Sequence, residues 1–183
     1  MHWIILSLLL LWLGFLSWHD IRQQEIPHSL WGVIPLLLIC GYRVWIGDGW
    51  LVLFIGFILA VSERESISSI LKMKAMSSLA SWFPWLLIGM FFSVQIQPVI
   101  TVAILGFWVA WELRIWGGAD ALIAITLILV LPAIPFLVSF ILIHLIIAIG
   151  IRILQWITHQ KNEVVRIPGI PLLIPCVLLV YLF

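Results

Sequence analysis

Charge is what this sequence has least of. Only 9% of its 183 residues are Asp, Glu, Lys or Arg, and the two signs nearly cancel to a formal net charge of +1. With no basic patch to neutralise phosphates, no nucleic-acid partner is expected. Cysteine is scarce as well: Cys40 and Cys176 stand alone in apolar runs, with no C-x-x-C pair. That spacing supports neither a zinc site nor a disulfide framework, so no metal or cofactor is expected and both thiols read as packing residues. The first apolar run, from Trp3 to Trp18, lacks a basic leader and a small-residue cleavage site. It reads as a retained span rather than a removed signal peptide.

What is present is apolar. Hydrophobic residues make up 64% of the chain, and the mean hydropathy is +1.26. A water-surrounded domain cannot hide that much apolar surface, so lipid is the expected solvent. Of the 12 tryptophans, Trp18, Trp31, Trp45, Trp50, Trp82, Trp116 and Trp156 fall near the ends of apolar runs, as in an interfacial aromatic belt. The runs cover residues 3–18, 30–46, 50–61, 82–94, 99–113, 115–131, 136–157 and 170–183. The expected fold is therefore all-α: a polytopic integral membrane helical bundle, one domain over 1–183, with about 6–8 transmembrane helices. Breaks are expected at "GDG" (47–49), "QIQP" (95–98) and "PAIP" (132–135), where proline and glycine favour turns.

Sidedness follows from the basic residues. With Asp20 facing the cytoplasm, that face collects Arg22, Arg64, Lys72, Lys74, Arg114, Arg152, Lys161 and Arg166, and the other keeps Arg43. This is the positive-inside bias, and it assigns the protein to the cytoplasmic membrane. The longest polar segment, 62–81, lies on the same face. Ile67, Ile70 and Leu71 share a helical face there, which fits an interfacial amphipathic helix, while a solvated loop fits the composition equally.

Two polar interruptions carry the chemistry. "SWHDIRQQEIPHSL" (17–30) puts Asp20 where the first apolar run ends, and "RIWGGADALIAITLIL" (114–129) puts Asp120 at the start of another. On the charge-derived layout both carboxylates share one face and one depth. Gly117, Gly118 and Ala119 remove bulk beside Asp120, so a neighbouring backbone can approach. Pro27 suits the first turn of the second span, where its missing N–H costs nothing.

These stretches together resemble the type IV prepilin and archaeal preflagellin peptidases. "DIRQQEIPH" (20–28) is similar to that family's first signature, an Asp followed six and seven positions later by Ile26 and Pro27. "GGAD" (117–120) is similar to its second, a G-x-G-D-type motif. The chain departs from the pattern in His28, where Asn is usual, and in Leu122, where Lys is common. The resemblance implies catalytic aspartates at Asp20 and Asp120 and a substrate that is a pilin-like or archaellin-like precursor, cut at its short basic leader on the cytoplasmic side.

Paired carboxylates in a poorly solvated place cannot easily both ionise. One can serve as general base on water while its protonated partner polarises the scissile carbonyl and later protonates the leaving amine. Glu25, Glu63, Glu65 and Glu112 could attract a basic leader, although Arg22, Arg64, Lys72 and Arg114 stand among them. Taken singly, Asp20 also fits an ordinary helix-end residue, and Asp120 a carboxylate favoured by a helix dipole. Glu112 and Arg114 are expected to satisfy each other or the headgroups, although a spacing of two puts them on different faces. His144 fits a packing histidine better than a proton relay, and His19 and His28 could tune the first motif. Rival readings are a membrane transporter or assembly subunit, and an inactive relative of the peptidases, which Leu122 would explain.

Overall fold

The computed structural model describes residues 2–23, 32–71, 79–113, 117–157 and 169–182. Nearly every apolar run became a helix with almost the expected bounds. The helices are α1 (His2–Gln23), α2 (Ile34–Trp45), α3 (Gly49–Ser62), α4 (Arg64–Leu71), α5 (Leu79–Ile96), α6 (Pro98–Glu112), α7 (Gly118–Val130), α8 (Ile134–Ile157) and α9 (Leu173–Leu182). A 3-10 turn, Ile170–Leu172, precedes α9. The three expected breaks separate α2 from α3, α5 from α6, and α7 from α8. Of the polar segment 62–81, residues 64–71 form α4, with Ile70 largely exposed, and 72–78 lie outside the described residues.

One expectation is corrected. Among the described residues no helix is long and apolar enough to cross a membrane, so the polytopic membrane bundle and the transmembrane character drawn from composition do not hold. For α2, α3, α6, α7 and α9 the physical reason is segment length. Helices α2, α3, α6, α7 and α9 have 12, 14, 15, 13 and 10 residues. At about 1.5 Å per residue they reach roughly 15–23 Å, against about 30 Å of hydrocarbon core. Turns at "GDG", "QIQP" and "PAIP" cut the apolar sequence into shorter pieces than total hydropathy suggests. The longer α1 spends its last turns on His19, Asp20, Arg22 and Gln23.

The chain divides into two compact units, residues 1–33 with 131–183, and residues 34–130. In the first, α1 packs on the 3-10 turn and on α9, and α9 packs on α8. Its buried side chains include Leu13 and Leu16 of α1, Phe136 and Phe140 of α8, and Leu173 and Cys176 of α9. In the second, α3 packs closely on α5, and α7 lies against α2 and α6. A Cβ at Gly89 would come within 3.3 Å of the Phe54 backbone, so α5 needs glycine there to approach α3. Helix α7 is the core of this unit: every residue from Ala121 to Leu129 is buried.

The turn between α2 and α3 follows from one glycine. Gly47 has φ +99°, a backbone state that side chains oppose. It lets the Asp48 N–H reach the Arg43 carbonyl at 2.9 Å and its own N–H reach Val44 at 3.0 Å. This paired closure of a helix end satisfies carbonyls that would otherwise be orphaned. Gly47→Ala should therefore destabilise the fold by about 1–2 kcal/mol. Gly41→Ala, in the open face of α2, should be neutral or stabilising by about 0.5–1 kcal/mol. Denaturant titration of both variants checks the contrast; equal effects would contradict this account of the turn.

Candidate functional site

Asp20 owes its position to the spacing of α1. Leu13, Leu16, Ser17 and Asp20 recur at intervals of three and four, which places them on one helix face, and all four are buried. Asp20 is 8% exposed, so its carboxyl ends an apolar stripe in place of projecting into solvent. On the outer face, the Arg22 guanidinium lies 4.3 Å from the Trp18 ring centroid, one turn away.

Asp120 sits in the first turn of α7. Gly117 precedes the helix, and its carbonyl accepts the first helical bond from Ala121 at 3.1 Å. A carboxylate this close to a helix N-terminus is stabilised by the exposed N–H dipoles. The glycines of "GGAD" have a visible reason at Gly118: a Cβ there would stand 3.0 Å from Nε1 of Trp111 on α6. The indole therefore lies against the start of α7, and only glycine admits it without displacement. Leu122, at the position where Lys is common, is 2% exposed and belongs to the core of α7.

A polar pocket of about 460 Å³ opens at this place, lined by Glu63, Arg64, Glu65, Trp111, Glu112 and Gly118 among others. Its framework is hydrogen bonded. The Trp108 indole donates to Ser62 Oγ at 2.9 Å, and that hydroxyl donates to Glu112 at 3.1 Å. Arg64 donates to the Val61 carbonyl at 2.8 Å and stands 3.5 Å from Glu112. Glu112 thus meets Ser62 and Arg64; the expected Arg114 partner lies outside the described residues.

The opposite end of the second unit holds a polar cluster that sequence reasoning missed. Arg43, 6% exposed, donates from Nη1 to Asp48 at 2.8 Å. Its Nε and Nη2 both donate to the Leu129 carbonyl, at 3.1 and 2.6 Å, capping the C-terminus of α7. Gln97, between α5 and α6, donates to the other Asp48 oxygen at 2.6 Å. The sequence signal was "RVWIGDG": a helix-closing glycine returns the next residue over the last turn, and here that residue is an Asp over an Arg.

The predicted site residues thus fall as follows. Asp20 belongs to the first unit; Gly117, Gly118, Ala119 and Asp120 belong to the second. Ile26 and Pro27 lie outside the described residues, as does His28. Among the described residues no group of three or more His, Cys, Asp or Glu is placed to hold a metal ion. No family model, curated protein or solved structure matches the chain.

Removing one member of a buried ion pair leaves the other charge uncompensated. Arg43→Met should cost about 3–5 kcal/mol by chemical denaturation. Adding Asp48→Asn should recover a good part of that loss, because the amide can still accept from Gln97 and carries no charge. A double variant no more stable than Arg43→Met would show that the pair contributes little.

Proposed function

We propose that this chain is an aspartyl peptidase that cuts the short basic leader of pilin-like or archaellin-like precursors, with Asp20 and Asp120 as its water-activating acids. The carrying observation is the environment of "GGAD": Asp120 heads a buried helix whose first glycine lines a polar pocket carrying Glu63, Glu65 and Glu112. In a chain with so few charges, a pocket with three carboxylates and one guanidinium beside that motif suits a basic peptide segment. The resemblance of residues 20–28 to the first signature supplies the second acid, Asp20, which is buried.

In this reaction the ionised aspartate takes a proton from water as the water oxygen bonds to the scissile carbonyl carbon. The protonated aspartate donates a hydrogen bond to the carbonyl oxygen. The tetrahedral species then loses its C–N bond, and the amine leaves with a proton from the acids. No covalent enzyme intermediate forms. Lipid is proposed as a second partner, since Trp3, Leu11, Leu38 and Trp45 present apolar surface at more than half exposure.

The test is cleavage of a purified pilin-like precursor by the purified protein, read by mass spectrometry. One cut should appear at the end of the basic leader, and Asp20→Asn and Asp120→Asn should each slow it by about 10²–10⁴-fold. Cleavage at the native rate by either variant ends the two-acid assignment. No cleavage by the native protein, under conditions where it is folded, favours an inactive relative.

A further inference from the structure

Among the described residues, the other buried hydroxyls of these helices follow a pattern that Ser17 breaks. Ser93, Thr101 and Thr126 each donate to the carbonyl four residues earlier, at 2.7, 2.9 and 2.8 Å, as the exposed Ser7 does at 2.8 Å. That back-bond is the ordinary way for a helical hydroxyl to be satisfied without a ligand. Ser17 is 7% exposed, yet among the described residues its Oγ has no hydrogen-bond partner. A buried hydroxyl left so is costly unless a water or ligand supplies the missing bond.

Its location says which. Ser17 lies one turn before Asp20 on the buried face of α1. Residues three apart on a helix have Cβ atoms about 5–6 Å from each other, a span that one water bridges. We infer that Ser17 and Asp20 together hold the water molecule that attacks the substrate, with the Ser17 hydroxyl positioning it and the Asp20 carboxylate accepting its proton. This assignment rests on the peptidase reading above, and gives the hydrolytic water a second protein contact that neither sequence signature includes.

The role is positioning, so a tuned variant series separates it from simple packing. Ser17→Ala should lower kcat by about tenfold, the worth of one lost hydrogen bond to the reacting water, with KM nearly unchanged. Ser17→Thr, which restores a hydroxyl, should recover most of the rate. A second readout is independent of cleavage. In difference infrared spectra of ¹³C-aspartate-labelled protein, the Asp20 carboxyl band is identified by its loss in Asp20→Asn. That band should shift in Ser17→Ala and return in Ser17→Thr. If it is the same in Ser17→Ala as in the native protein, Ser17 holds no water on Asp20 and the inference fails, whatever the cleavage assay gives. If the band shifts but no precursor is ever cut, the water site stands and the peptidase reading falls. Native kcat in a folded Ser17→Ala protein removes the positioning role.

Discussion

A single guanidinium ties together the polar end of the second unit. Arg43 is held in the last turn of α2, pairs with Asp48 at the start of α3, and caps α7 through Leu129, while Gln97 brings in the α5–α6 junction. In water such an ion pair is worth little; buried, it is costly to break and directional in its demands. Most contacts in this chain are apolar, and apolar contacts tolerate sliding and rotation. The Arg43 cluster supplies directional bonds that fix where α7 stops, and so where its other end, with Gly118 and Asp120, begins.

That division of labour sets polar groups at both ends of the unit with an apolar middle. Helix α3 runs from Gly49, just after its N-cap Asp48, to Ser62, and α7 from Gly118 to Val130. About 20 Å of buried Leu, Ile, Phe and Ala separates the structural cluster from the pocket, by the rise of a 14-residue helix. One end is closed by hydrogen bonds to a helix C-terminus. The other is a polar pocket that carries Glu63, Arg64, Glu65 and Glu112 and reaches the first residue of α7. In the first unit, Asp20 and Ser17 repeat the theme on a smaller scale, as polar groups set into an apolar stripe.

Much of this was legible in the residues. Apolar runs and their Gly and Pro breaks located the helices to within a few positions, because periodic burial and turn chemistry are both local. The small residues beside Asp120 were read as letting a neighbouring backbone approach; what lies against Gly118 is a side chain, the Trp111 indole. Three things were not legible. Hydropathy reports how much apolar surface a chain carries and not whether each helix is both long and apolar enough to cross a bilayer, so the membrane-spanning reading did not hold. Arg43 was read only as a charge marking one face, because Leu129, whose carbonyl it caps, lies 86 residues away and no local pattern announces it. The unbonded hydroxyl of Ser17 was equally invisible, since it differs from Ser7 only in what surrounds it.

The most direct test of this account is nuclear magnetic resonance of the Arg43 side chain, assigned by its loss in Arg43→Lys. A guanidinium fixed on the end of α7 should show an Nε–H that exchanges with water far more slowly than those of exposed arginines. Its shift should also move when Asp48 is replaced by Asn. An Nε–H that exchanges as fast as that of a solvent-exposed arginine would contradict the central claim that this charge anchors the helix bearing Asp120.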